Sequence, residues 1–171
     1  MAWWSQTPKL SSEVRASLGL QNGERILSVA TTPDGSSIVA TTRALFLPTG
    51  TGLHRIGWEQ VDKAGWDRDL GTLWVLEAAP IGTRPHRWRV HVDNPGHVVD
   101  VVRERVNATV VISQHVPLVG DRGVRVVGRR PPGTDLLTWS VAVDPGVDVS
   151  DPQLRARITE AVEEVRREVG D

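Results

Sequence analysis

Arginine, histidine and tryptophan crowd into one short stretch, Arg84-Pro85-His86-Arg87-Trp88-Arg89-Val90-His91. Read as a strand, side chains alternate between faces. Arg87, Arg89 and His91 then share one face, while His86, Trp88, Val90 and Val92 share the other, apolar one. A guanidinium forks onto a carboxylate or phosphate with two parallel N–H···O bonds, which an ammonium cannot do. The first face is therefore a candidate anion-binding stripe. A second basic group, Arg122, Arg125, Arg129 and Arg130, follows farther along. Brought together, Arg87, Arg89, His91, Arg129 and Arg130 would hold an acidic peptide, a phosphate or a nucleic acid. The net charge of −1 favours a plainer expectation, in which neighbouring Asp and Glu neutralise both groups at the surface.

Other chemistries find less support. His86 and His91 lie five residues apart and face opposite ways on a strand, His97 lies near the next helix start, and His54 and His115 are distant in sequence. No pair has the i, i+4 helical spacing of a zinc protease, and the chain has no Cys, so no metal site is expected. Absent too are a Gly-x-Ser-x-Gly elbow and a Gly-Lys-Ser/Thr phosphate loop; Gly50-Thr51-Gly52 lacks the third glycine of a dinucleotide cradle. Ser113-Gln114-His115 puts its serine and histidine too close in sequence for a simple triad. Asp62, Asp67, Asp69 and Glu77 suit solvated turns as well as general acid–base work. The expectation is a chain without a catalytic signature and without a cofactor.

The elements that must position these residues follow from periodicity. Ser11-Ser12 with Val14, Leu18 and Gly19 predicts a short capped helix. Strands are predicted over 25–31, 37–47, 53–56 and 63–67, then over 72–77 and 87–92. The turn signals between them are Pro33-Asp34-Gly35, Pro48 to Gly52, Asp69-Leu70-Gly71 and Pro80-Ile81-Gly82. Asp93 or Asn94 can cap a helix with Pro95 in its first turn; Val98, Val99, Val102, Val106 and Val110 form its stripe. Its end, at 109–112, reads equally as strand. Further strands are predicted at 115–118, 124–127 and 137–143. A last helix opens on a Ser150/Gln153 capping box and carries Leu154, Ile158, Val162, Val165 and Val169. The polar side of that helix is a solvated face of mixed charge. Trp58, Trp66, Trp74, Trp88 and Trp139 fall at core-like strand positions.

Composition is that of an ordinary soluble α+β chain of 171 residues, 39% hydrophobic and 24% charged, long enough to fold without staples. Cysteine is missing, no apolar run nears the roughly 20 residues of a membrane span, and Met1 to Gln6 lacks the form of a signal peptide. A cytoplasmic location is the expectation. Seven Trp accompany one Phe and no Tyr, and 18 Arg accompany two Lys. That Arg excess is explained by codon bias in a GC-rich genome or by a need for bidentate contacts. Trp3 and Trp4 sit together on an amino-terminal arm, and two exposed indoles on a tail are expected to dock into a groove of the same chain or of another copy.

The run Gly23-Glu24-Arg25-Ile26-Leu27, then Val39 to Leu47, Arg55-Ile56-Gly57-Trp58-Glu59-Gln60-Val61, Gly71 to Val75 and Asp93-Asn94-Pro95 resembles the bacterial pleckstrin-homology-like (PH-like) domains. The likeness covers about half the chain and is one of pattern. It implies an antiparallel bent sheet or barrel closed by one helix over residues 23–110. An arm and short helix (1–22) would precede it, and a C-terminal extension of two or three strands and a long helix (111–171) would follow, packed on the same core. Ser113 to Asp171 is similar to the tails of uncharacterised actinobacterial proteins, which carries no function with it. The resemblance implies a binding or scaffolding module for a protein or peptide. Lipid-binding members carry cations in the first hairpin loop; here that loop is Thr32-Pro33-Asp34-Gly35-Ser36, and its Asp opposes a phosphorylated head group, so phosphoinositide binding is disfavoured. Rival readings keep the same residues: a small enzyme or anion binder using Arg87, Arg89 and His91, or a weak nucleic-acid binder using both Arg groups. Near-neutral charge makes nucleic acid the lesser expectation, and association of copies through Trp3 and Trp4 stays open.

Overall fold

The computed structural model describes residues 9–170. Helix α1 (Ser12–Ser17) is capped as expected: the Ser11 hydroxyl accepts the Val14 N–H at 3.2 Å. A four-stranded antiparallel meander follows, β1 (Ile26–Thr31), β2 (Ser37–Thr41), β3 (Ala44–Thr49) and β4 (Gly52–Gly57), in spatial order β1-β2-β3-β4. Between β1 and β2 the Asp34 carboxylate accepts from the Ser36 N–H (3.1 Å) and the Thr32 hydroxyl, and Gly35 supplies the positive φ of +84°.

The single strand predicted over 37–47 is two strands. Thr41 divides it: its Oγ1 accepts the N–H groups of Arg43 (3.1 Å) and Ala44 (2.9 Å) and donates to Glu24 Oε1 at 2.5 Å. One hydroxyl thus does what Gly, Pro or Asn does in other turns. Trp58 is fully buried beneath this corner and its Nε1–H donates to the Thr41 carbonyl at 3.0 Å.

A single 3-10 turn, Trp58–Gln60, swings the chain into a second antiparallel sheet of β5 (Val61–Asp67), β6 (Thr72–Glu77) and β7 (Arg87–His91), in order β5-β6-β7. Helix α2 (Val98–Thr109) starts later than the Asp93/Asn94 cap predicts. Asn94 Oδ1 instead accepts the Gly96 N–H at 3.1 Å, and Gly96 at φ +51° cannot continue a helix backward. Val98, Val102 and Val106 are buried with Ile38, Leu45, Trp58, Leu73 and Val75, so α2 covers the facing surfaces of the first two sheets. Burying each valine contributes on the order of 1.5–3 kcal/mol, which compensates for the weak helix propensity of such a valine-rich segment.

Strands β8 (Val110–Val119), β9 (Arg122–Arg129) and β10 (Thr138–Val143) form a third sheet in order β10-β9-β8, and helix α3 (Pro152–Val169) packs on it. The ambiguous end of α2 resolves as strand from Val110. The predicted Ser150 capping box is replaced: Asp151 is the N-cap, accepting the Gln153 N–H at 2.8 Å, while Ser150 bonds to Asp148. Ile158, Ala161 and Val165 face the sheet, and Gly170 at φ +82° ends the helix. Leu118, Val124, Val126, Ile158 and Val165 make an apolar cluster of their own, joined by Ile81 from the β6–β7 loop.

The architecture is α+β with three antiparallel sheets, and among the described residues they do not close into a barrel. No helix among those residues is long and apolar enough to cross a membrane.

Candidate functional site

The second sheet has an apolar face toward α2 and an outward face that carries the chemistry. Leu73, Val75, Val90 and Val92 point inward and are buried. Opposite them, the register pairs Gly65 with Trp74, Trp74 with Arg89, Thr72 with His91 and Leu76 with Arg87. Trp74 therefore stands on the outward face, which corrects its core-like reading. Its own strand neighbours Leu73 and Val75 contain the signal: alternation puts Trp74 opposite to both. The indole lies against Gly65, where an added Cβ would come within 2.5 Å of Trp74 Cζ2. The absent side chain is what lets the ring lie down on the sheet.

Arg87, Arg89 and His91 are all exposed and share that face, as their spacing predicts. The Arg87 Cζ sits 5.9 Å from the Trp74 ring centroid, within cation–π range. His91 Nδ1 meets the Leu70 carbonyl at 3.0 Å, so that nitrogen carries the hydrogen, and Nε2 is 3.3 Å from Asp93 Oδ1. Among the described residues no carboxylate lies within ion-pair distance of Arg87 or Arg89. The expected neutralisation of this stripe by neighbouring acids thus reaches His91, through Asp93, while Asp67 lines a recess beside the stripe without pairing to either arginine.

Two recesses flank the stripe. One, of ≈ 380 Å³, is lined by Asp67, Leu70, Trp74, Arg87, Arg89 and His91. The other, of ≈ 440 Å³, lies between Arg89, Val90 and His91 and the β1–β2 and β3–β4 turns, including Asp34, Pro48 and Thr49. Arg89 and His91 border both, so the basic surface wraps the free edge of β7. The Asp34 carboxyl is held below the usual carboxylate range by the Thr32 hydroxyl first and the Ser36 N–H second. That fixed negative charge stays in the hairpin loop.

The second basic group does not join this surface. Arg129, read from the sequence as a surface cation, is buried at 4% exposure. Its Nη1 donates to the Val106 carbonyl (3.3 Å) and Thr109 Oγ1 (3.1 Å), and its Nη2 to the Asp62 carbonyl (3.1 Å). Burial lowers its pKa from the ordinary arginine value, opposed by the Asp62 charge. Arg129 is a tie between α2, β5 and β9, with no face open to a ligand. Arg130 is exposed, beside a small recess of ≈ 250 Å³ lined by Arg105, Pro131 and Thr134, and borders neither recess at β7. Trp3 and Trp4 lie outside the described residues.

His54, His86 and His115 have local partners. His54 of β4 stacks on Trp88 at 4.8 Å and His86 meets the same ring edge-on at 4.6 Å, while Trp88 Nε1–H donates to Glu77 Oε1 at 2.5 Å. This stack bridges the first and second sheets beside β7, and sequence distance hid it. His115 Nε2 is 2.8 Å from Asp144 Oδ2, which also accepts the Gly123 N–H at 2.8 Å. The His115 hydrogen bond first, then the Gly123 bond, hold the Asp144 carboxyl below its ordinary range. No group of three His, Asp or Glu among the described residues is placed to hold a metal ion. Comparison of the chain with protein-family models, with curated proteins and with solved structures gives no match.

Proposed function

We propose that the chain is a non-enzymatic binding module that takes a protein or peptide, acidic in character, onto the outward face of the second sheet. The observation that carries this reading is the half-buried Trp74 on that face, directly opposite Arg89 and within cation–π range of Arg87, with neither guanidinium at ion-pair distance from a carboxylate of the described residues. An aromatic plane beside uncompensated guanidiniums offers apolar contact area and bidentate donors together, the pairing enriched at the centres of protein interfaces. Residues 23–110 are assigned to a PH-like unit, with 111–171 an extension carrying its own sheet and helix. Four strands, then three, then a covering helix support that assignment, and the resemblance in turn implies a binding role. Fold analogy alone does not fix a ligand. A cysteine-free chain suits a cytoplasmic setting.

Labelled peptides rich in Glu, compared with Gln-substituted versions of the same length, test the reading by fluorescence anisotropy. The Glu peptides bind, and Trp74→Ala, Arg87→Glu and Arg89→Glu each weaken binding about ten-fold or more, the size of one lost charge-assisted contact. Arg130→Glu leaves binding unchanged. Glu and Gln peptides binding alike, or a thymidine oligonucleotide binding tightly with the same dependence on Trp74 and both arginines, overturns it.

A further inference from the structure

We infer that the peptide binds as an added antiparallel β-strand along the free edge of β7, and that its sequence alternates acidic and uncharged residues. The inference rests on the proposed peptide-binding role and goes further by specifying the ligand's conformation and pattern.

Hydrogen-bond phase sets the geometry. The Glu77 N–H donates to the His86 carbonyl at 2.9 Å, and the Val92 N–H to the Gly71 carbonyl at 2.8 Å. In an antiparallel ladder the bonded pairs recur every second residue. The main-chain groups of Trp88 and Val90 therefore turn toward β6, and those of Arg87, Arg89 and His91 turn away from it. β7 is the outermost strand of its sheet, and no hydrogen bond from a described residue meets those outward N–H and C=O groups. An edge of this kind is a template for another strand.

The side chains define what that strand carries. Residues of an added antiparallel strand that bond to Arg87, Arg89 and His91 place their own side chains on the outward face, beside two guanidiniums and an imidazole. Carboxylates complement that row. Intervening residues point the other way, toward the ≈ 440 Å³ recess, where Pro33, Pro48 and Val90 offer apolar contact and the Asp34 carboxylate disfavours a second acidic row, so uncharged side chains such as valine fit. One strand thus engages both the cationic row and the recess behind it.

The test uses labelled Ac-Glu-Val-Glu-Val-Glu-Val-NH2, its block isomer Ac-Glu-Glu-Glu-Val-Val-Val-NH2, and two N-methylated forms of the first. Composition and charge are equal in the two isomers, so only the pattern differs. The alternating peptide binds at least about ten-fold more tightly. Methylating the Glu nitrogens removes the donors that would face β7 and weakens binding by about ten-fold or more, while methylating the Val nitrogens, which face away, costs roughly three-fold or less. Isomers that bind equally, or methyl groups that act equally at both sets, overturn strand addition and leave the binding reading standing. If no acidic peptide binds, or if Arg87→Glu and Arg89→Glu have no effect on those that do, both readings fall.

Discussion

The guanidinium of Arg129 reaches back 67 residues along the chain to the main-chain carbonyl of Asp62, at 3.1 Å. The same group holds the Val106 carbonyl near the C-terminal end of α2. A buried cation is well placed at that negative end of a helix dipole. Arg129→Met fills comparable space but withdraws every donor, leaving the Asp62 carbonyl without its partner. A loss of about 2–4 kcal/mol in unfolding free energy is expected, read as a lowered urea midpoint. An unchanged midpoint would show that this tie adds nothing.

Gly65 and Trp74 make a second test. Gly65→Ala puts a methyl group where the indole rests, 2.5 Å from its Cζ2. The ring must lift from the sheet, with an expected cost of about 1–3 kcal/mol. Urea unfolding measures that cost, and acidic-peptide binding should weaken in the same variant. Full stability together with full affinity would mean that the ring does not depend on the missing side chain.

The turn at Thr41 depends on one hydroxyl. Thr41→Val keeps the shape but leaves the Arg43 and Ala44 N–H groups and the Glu24 carboxylate without it. The expected loss is about 2–4 kcal/mol, because buried polar groups are left unpaired. Thr41→Ser retains the oxygen and should recover most of that loss in thermal melts.

Asp144 gives the chain an acid-sensitive contact. Its carboxyl titrates lower in the folded state than in the unfolded chain. The folded state therefore binds fewer protons through the acid range, and stability from this group is complete above the unfolded value of about 3.9. It is lost as pH falls through the lower, folded value. Asp144→Asn should flatten the acid limb of a plot of urea midpoint against pH, with the gap to the parent widest at pH 6 and closing under strong acid. A gap of constant size throughout would exclude the linkage.

The legible parts of the fold are those in which one residue type performs one local task. Pro33-Asp34-Gly35 and Asp69-Leu70-Gly71 mark turns because their backbone preferences admit little else. Thr41 escaped notice because a threonine inside a β-branched run reads as strand. Its turn depends on Glu24, seventeen residues away. Asp93 and Asn94 send a true signal that serves a different purpose, a turn closed at Gly96 ahead of α2. At the site, alternation placed Arg87, Arg89 and His91 correctly, since a half-exposed strand has only two faces. Arg129 and Arg130 could not be told apart in this way: Val126, Val127, Gly128 and Arg129 are all buried, so β9 is covered on both sides and the two-residue period disappears. Trp74 was hidden by its type, an aromatic that usually packs inside.

The arginines on β7 also decide which strands that edge refuses. A second copy approaching antiparallel, centred on Arg89, would set that arginine against its own twin. Like charges at the spacing of paired strands oppose such self-assembly. The edge is thereby guarded against its own kind while staying open to strands of opposite sign, so that a feature which in an uncharged sheet invites aggregation becomes a filter.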